Sequence, residues 1–487
     1  MESGLKIFFV SPEAVPFAKS GGLADVSGAL PVALRESGAD VRIIMPLYSS
    51  IKKSMFNPKP VIEDLTVTID GIPLIFQIYE SKPRKGIPAY FVAREDLFCR
   101  PNLYGDSSGD YYDNLERFSY FSHVALELAQ QLDFKPDIIH CHDWQTGLIP
   151  ALIKGPYDEE FFSGTSVIFT IHNMGYQGIF PAHRFASTGL NKDDYFHQEG
   201  LEYWGNISLL KSGIVYADAV TTVSPTYAGE IRTPEFGLGM EGVLANRNES
   251  LFGILNGVDY TVWNPEKDRH IASTYSMKSM SGKTACKKDL IAEMSLDASL
   301  IDKPVFGLVS RLDRQKGIDM LLNIIDELIA LDAGLVLLGS GDKSIENAIA
   351  DAASRHPGKI GIGTGFNDPL AHKIIAGSDI FLIPSRYEPC GLTQMYSLKY
   401  GTVPLVRATG GLNDTVFNYD ADSGAGNGFK FDEASSEALL KCIQQAIVLY
   451  KDKKGWKKLL SNGMKEDHSW KKSAERYIEI YKEIRKK

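Results

Sequence analysis

Lysine, arginine and glycine recur at three places where anion chemistry is possible. The first is Lys19-Ser20-Gly21-Gly22-Leu23-Ala24-Asp25, which follows the apolar run Ile7-Phe8-Phe9-Val10 and precedes an apolar-periodic segment reaching Leu34. A strand, a glycine turn and a helix start in that order aim backbone N–H groups and a positive helix end at one point. A phosphate or pyrophosphate is the usual tenant there. Lys19 adds a mobile positive charge and Asp25 a carboxylate. The G-x-x-x-x-G-K-[ST] spacing of a P-loop is absent. A tight strand-to-helix turn with a surface lysine would look the same, so a second cluster has to decide.

That cluster is Ser310-Arg311-Leu312-Asp313-Arg314-Gln315-Lys316-Gly317, at the end of the apolar run Val305–Val309. A fork-shaped guanidinium at Arg311 and a point charge at Lys316 would together neutralise a diphosphate leaving group. The plain alternative is a solvated basic turn. Arg311 abuts the apolar run, which favours the phosphate reading. The third place is Arg386-Tyr387-Glu388-Pro389-Cys390-Gly391-Leu392-Thr393-Gln394. Pro389 and Gly391 shape a loop entering a helix, so the amides of Gly391 to Thr393 would point at an acceptor group. Glu388 is placed to take hydrogen bonds from sugar hydroxyls, or is simply an exposed loop carboxylate. Thr409-Gly410-Gly411-Leu412 repeats the strand–glycine–helix order, so three loops of one sheet would converge on one anion.

The first half offers His140-Cys141-His142-Asp143-Trp144 and Thr170-Ile171-His172-Asn173, each at the end of an apolar run. Asp143, His172 and Asn173 would be neighbours at adjacent strand ends, as a polyhydroxy ligand requires. No further His/Cys pair has zinc spacing. Asp420-Ala421-Asp422 lies among Gly, Ser and Asn and reads as a solvated loop. No metal and no other cofactor is expected.

Short β-branched and aliphatic runs must position these loops. Candidate strands are Val41–Met45, Ala89–Val92, Asp137–His140, Ser166–Thr170, Ala219–Val223 and Leu251–Ile254, then Val305–Val309, Gly334–Leu338, Ile360–Gly363, Ile380–Pro384 and Val403–Val406. Helical patterns such as Arg117–Leu132, Met320–Leu331 and Ser435–Tyr450 lie between them. Such alternation means an α/β protein with parallel sheets covered on both faces. Two sheets fit the length, with domains at 1–255 and 256–469. The tail 470–487 has helical spacing (Tyr477, Ile480, Tyr481, Ile484) and is expected to return to the first domain. In open parallel sheets ligands bind beyond the carboxyl ends of the strands, so a cleft between the domains is the expected site.

The 487 residues exceed one ordinary core, and 44% hydrophobic with 23% charged residues is an ordinary globular balance. A formal charge of −9 argues against a nucleic-acid surface. Five scattered cysteines (Cys99, Cys141, Cys286, Cys390, Cys442) without a C-x-x-C pair suit a reducing compartment. No leader and no run long enough to span a membrane is present, so a cytoplasmic protein is expected.

Together these pieces resemble the bacterial glycogen synthase and plant starch synthase family, which uses ADP-glucose. The resemblance spans nearly the whole chain: K-S-G-G-L-A-D at 19–25, H-D-W at 142–144, H-N-M-G-Y-Q-G at 172–178, T-V-S-P at 222–225, N-G-V-D at 256–259, S-R-L-D-R-Q-K-G at 310–317, E-P-C-G-L-T-Q at 388–394 and T-G-G-L at 409–412. It implies a GT-B fold of two Rossmann-like domains. It also implies retaining transfer of glucose from ADP-glucose to the non-reducing end of an α-1,4-glucan, with no nucleic acid and no membrane involved. Carried over, Lys19, Gly21 and Gly22 would contact the donor diphosphate, and Arg311 and Lys316 would stabilise departing ADP. Glu388 would hold glucose hydroxyls, Cys390, Gly391, Leu392, Thr393, Thr409 and Gly410 would line the donor site, and His172 would sit against the transferred glucose. Asp25, Asn114, Asp143 and Asn173 would lie near sugar or acceptor, and Asn256 would make a polar contact near the hinge. Relatives with the same fold often carry a second glutamate eight residues after the first. Here Tyr396 stands there, as in the ADP-glucose branch. The remaining readings are a transferase for another nucleotide sugar such as UDP-glucose, a non-catalytic glucan-binding protein, and an oxidoreductase. The last is weak because Gly339-Ser340-Gly341 is no full G-x-G-x-x-G.

Overall fold

The computed structural model describes residues 4–51, 56, 58–82, 85–106, 108–157 and 159–485. They fall into two compact units, Met1–Gly257 with Trp470–Lys487, and Val258–Ser469.

The first unit is built on a nine-stranded sheet. Its order is Leu251–Gly253, Ala219–Thr222, Ser166–Ile171, Ile138–His142, Lys6–Val10, Asp40–Pro46, Ala89–Ala93, Ile72–Ser81 and Lys59–Ile69. Strands such as Ser166–Ile171 and Ile138–His142 are buried at every position. That is why they read as continuous apolar runs instead of alternating ones. The expectation of wholly parallel sheets fails at one edge. Lys59–Ile69 and Ile72–Ser81 form a hairpin that joins Ala89–Ala93 antiparallel. Leu65, Val67 and Ile69 are buried and Thr66 and Thr68 exposed, the alternation of a sheet with one wet face. Asp70 and Gly71 turn it at φ 49° and 73°, the left-handed pair that two-residue hairpin turns require.

The boundary also differs from 255/256, because Asn256 and Gly257 belong to the first unit. Gly257 lies so close to Trp470 that an added Cβ would come within 2.6 Å of its backbone. Ser473 Oγ donates to Leu255 O at 2.5 Å. The helix Trp470–Arg485 therefore clamps this segment while packing on the helix Gly22–Glu36 and on Ser166–Ile171. Residues 486 and 487 of the expected tail lie outside the described residues.

The second unit holds six parallel strands in the order Ile360–Thr364, Gly334–Gly339, Val305–Val309, Ile380–Ile383, Val403–Arg407 and Phe429–Phe431. The last has only three residues and carries no pattern of its own. The segment expected as one helix over Met320–Leu331 is two, Ile318–Leu322 and Ile325–Ala330, because Ile324 leaves helical geometry at φ −124°. In both sheets the motif loops follow the carboxyl ends of parallel strands.

Candidate functional site

In the first unit the chain leaves Lys6–Val10, passes through Lys19 and enters the fifteen-residue helix Gly22–Glu36 with Gly21 at its cap. A helix of this length carries a full N-terminal dipole. Neither Gly21 nor Gly22 has a positive φ, and a Cβ on either would meet no protein atom within 4 Å. The fold therefore does not demand glycine there. Lys19 Nζ is paired with Asp25 Oδ1 at 2.8 Å, so the cation and carboxylate expected on separate duties hold each other.

Beneath the loop lies Glu13, which the motif search passed over. It is buried, accepts the Ser20 N–H at 2.6 Å, and burial pushes its carboxyl up to about 7. Its signal was a lone acidic residue three positions after the buried run Ile7–Val10.

Asp143 and His172 do come together, with Asn173. The His172 N–H donates to Asp143 Oδ1 at 2.7 Å, and Asn173's N–H also bonds the Asp143 carboxylate. Burial raises the Asp143 carboxyl to about 7, and its backbone sits at φ 54°. Strain of this kind persists where the surroundings over-determine it and concentrates at functional sites. His172 stands at the end of a ring column: Phe9 and His142 are 4.2 Å apart, His140 and His142 4.1 Å, His142 and His172 5.2 Å. His142 Nδ1 and His172 Nε2 share a hydrogen bond of 3.0 Å. Burial brings His172 down to about 3, so it is a neutral hydrogen-bonding group at physiological pH and not a cation. His140 is anchored by Thr170 Oγ1 at 2.7 Å and the Tyr481 hydroxyl at 2.8 Å. His140 is thus held by the sheet and the C-terminal helix, while His142 Nε2 is buried without a hydrogen-bond partner. Among the described residues no three His, Cys, Asp or Glu side chains are placed to hold a metal ion.

Asn173 spends its carbonyl on the Gly175 N–H at 2.8 Å. Asn114 is 1% exposed, donates to Tyr104 O at 2.8 Å and accepts from Arg117 Nη1 at 2.6 Å. In this structure it braces the loop preceding its helix, and a sugar contact for it rests on the resemblance alone. Asn256 is buried with its Oδ1 unpartnered.

In the second unit Lys316 Nζ meets Glu388 Oε2 at 2.6 Å, and Ser385 Oγ donates to the same oxygen at 2.9 Å. Asp313 caps the short turn Arg314–Lys316 through the Lys316 N–H at 3.0 Å. Gly317 then needs φ 69°, and a side chain there would strike Pro384 O. Arg311 is 53% exposed and held by Asp313 at 3.0 Å and Gln315 at 2.9 Å. Gln315 in turn donates to Tyr387 O at 3.2 Å, so the loop carrying Arg311 and Lys316 is tied to the one carrying Glu388.

The helices after Gly391 and Thr409 are only seven and six residues long, Thr393–Lys399 and Gly410–Thr415. Their dipoles are weaker than the sequence pattern suggested, and what those loops contribute is shape. Gly391 sits at φ 69° and Gly410 at φ 45°, and Cβ atoms on Gly410 and Gly411 would overlap the carbonyls of Glu388 and Cys390. Cys390 is buried, Leu392 caps the helix that Thr393 begins, and Thr409 is buried at the cap of the next. Tyr396 is stacked on Trp263 at 4.1 Å, with His372 on the other face at 3.7 Å. Sequence reasoning also missed Phe366, 84% exposed, just beyond the end of Ile360–Thr364 in the same sheet.

Comparison with known proteins joins these findings. Residues 6–246 match the model of the starch synthase catalytic domain and residues 297–463 that of glycosyl transferases group 1. The glycogen synthase of Geotalea uraniireducens is 45% identical over 479 residues, covering 98% of both chains. That of Koribacter versatilis is 46% identical over 482 residues, covering 99% of this chain and 98% of its own. The catalytic domain of starch synthase IV from Arabidopsis thaliana, bound to ADP and acarbose, superposes with a TM-score of 0.93 at 34% identity and full coverage of both chains. The chain belongs to the glycogen synthase and starch synthase family of glycosyltransferases and has their GT-B fold.

Proposed function

We propose that this enzyme transfers glucose from ADP-glucose to the non-reducing 4-hydroxyl of an α-1,4-glucan with retention, in the cytoplasm and without a metal or other cofactor. The observation that carries the reading is the Lys316–Glu388–Ser385 cluster. It places a partly buried cation beside a carboxylate suited to sugar hydroxyls. Cleaving the glucose–phosphate bond puts negative charge on ADP and oxocarbenium character on the sugar. Lys316 and Arg311 stabilise the departing diphosphate, and for Lys19, Gly21 and Gly22 the family resemblance implies contacts to the donor diphosphate. Phe366 offers an apolar face on which an adenine ring can stack. His172, neutral, orients the transferred glucose by hydrogen bonding.

Glu388 is ion-paired and Asp143 is buried and bonded to two backbone N–H groups, so neither stands as a nucleophile for double displacement. Attack on the same face, with the leaving phosphate taking the acceptor's proton, follows. Trapping a glucosyl adduct on Glu388 or Asp143 would refute that step. The donor is tested with a panel of radiolabelled nucleotide sugars and glycogen primer. Incorporation from ADP-glucose well above that from UDP-glucose is expected, and equal or reversed incorporation overturns the assignment.

A further inference from the structure

One hydrogen bond in the first unit has a direction that its buried surroundings decide. His142 ends the strand Ile138–His142, and His172 directly follows Ser166–Ile171, its neighbour in the sheet. His142 Nδ1 and His172 Nε2 share a bond of 3.0 Å. His142 is fully buried, its ring packed against Phe9 at 4.2 Å and His140 at 4.1 Å. Its other nitrogen, Nε2, is buried with no hydrogen-bond partner. Burial keeps both rings neutral at physiological pH.

A neutral imidazole carries one ring N–H, so two arrangements satisfy the shared bond. In the first, His172 Nε2–H donates to His142 Nδ1. The His142 proton then sits on Nε2, where no acceptor meets it. In the second, His142 Nδ1–H donates to His172 Nε2, and His142 Nε2 is a bare lone pair. An N–H buried without an acceptor is rarer in folded chains than an acceptor buried without a donor. The second arrangement therefore prevails. It leaves the His172 proton on Nδ1, the nitrogen that His142 does not engage.

We infer that His142 is a positioning residue that fixes the tautomer of His172, so that His172 Nδ1–H donates a hydrogen bond to an oxygen of the transferred glucose. The inference rests on the glucosyl-transfer reading above and deepens it. In water a neutral histidine favours the proton on Nε2, so an Nδ1–H ring has to be imposed by what its other nitrogen meets. A ring held this way offers the sugar an N–H in one orientation and no lone pair to compete for its hydroxyl protons. His142 acts through His172 alone.

The test reads the tautomer directly in the full chain carrying isotope-labelled histidine. Long-range proton–nitrogen correlation spectra separate Nδ1–H from Nε2–H, and comparison with His172→Gln identifies the His172 signals. His172 in the parent should show a protonated Nδ1, and a protonated Nε2 overturns the inference. Kinetics supply a second arm. His142→Phe keeps a stacked ring but removes the donor. It should release His172 to Nε2–H and lower kcat about tenfold, roughly the worth of one buried hydrogen bond. His142→Asn, whose amide N–H stands close to the position of Nδ1–H, should recover most of that loss. A parent-like kcat in His142→Phe overturns the inference. So do equal losses in His142→Phe and His142→Asn at the parent's Tm, which would make His142 a packing residue only. If the parent shows the Nδ1–H form yet elongates no glucan, the functional reading has failed and not the tautomer assignment.

Discussion

The two glycine-rich turns at Gly21–Gly22 and Gly410–Gly411 look alike in sequence, each a strand, paired glycines and a helix. In the structure they do opposite things. Side chains at Gly410 and Gly411 would overlap the backbone of Glu388 and Cys390, so those glycines let one loop of the protein nest against another. A Cβ on Gly21 or Gly22 would meet no protein atom within 4 Å, so packing does not require glycine there. A motif identifies the turn, but only the neighbours say whether packing requires the glycine.

The contrast extends to charge. Around Lys316 an ion pair holds the groups. Around Glu13, Asp143 and His172 burial disfavours the charged forms instead.

The largest effect is expected where charge meets the leaving group. Lys316→Ala and Arg311→Ala should each lower kcat at least about 10²-fold, the scale of losing one charge-stabilising group. An unchanged kcat in steady-state assays removes that residue from the role. Next come the glycines. Gly411→Ala should cost about 1–3 kcal/mol of stability through overpacking, seen as a lower Tm. Gly22→Ala should keep the parent's Tm and raise the KM for ADP-glucose about tenfold, roughly the effect of losing about 1.4 kcal/mol of binding. Equal melting behaviour in the two variants would erase the distinction between the turns.

A smaller effect concerns pH. The Glu13 and Asp143 carboxyls sit near 7 in the folded chain, above their ordinary values, so the folded state holds more protons than the unfolded one between about pH 4 and 7. Their contribution to stability is complete at the acid end and is lost as pH rises through 7. Glu13→Gln should therefore flatten the fall in Tm between about pH 5 and 8, measured by calorimetry, and a slope as steep as the parent's contradicts it. Smallest is Tyr481→Phe, which removes the hydroxyl from His140 Nδ1 and should cost about 1 kcal/mol by chemical denaturation without touching kcat.

Much of this was readable in advance for a physical reason. Strands buried on both faces show as unbroken apolar runs, and the loops after them show as glycine-bearing breaks between such runs. The hairpin 59–81 escaped because an alternating strand with a wet face resembles a polar loop, although Asp70-Gly71 marked its turn. Glu13 escaped because its role lies in the Ser20 N–H beneath a loop, a contact without sequence spacing. Phe366 escaped because a lone aromatic is usually core, and only its exposure distinguishes it. Asn114 was assigned through resemblance, while its amide is occupied by Tyr104 and Arg117.

The most direct test of the proposed donor site is calorimetric titration of ADP into the parent enzyme, Lys19→Ala, Lys316→Ala and the double variant. If Lys19 and Lys316 each contribute to nucleotide binding, each single variant weakens ADP about tenfold or more, roughly the worth of a charge-assisted contact. ADP binding unchanged by Lys19→Ala would contradict the claim that the first unit's loop holds the diphosphate.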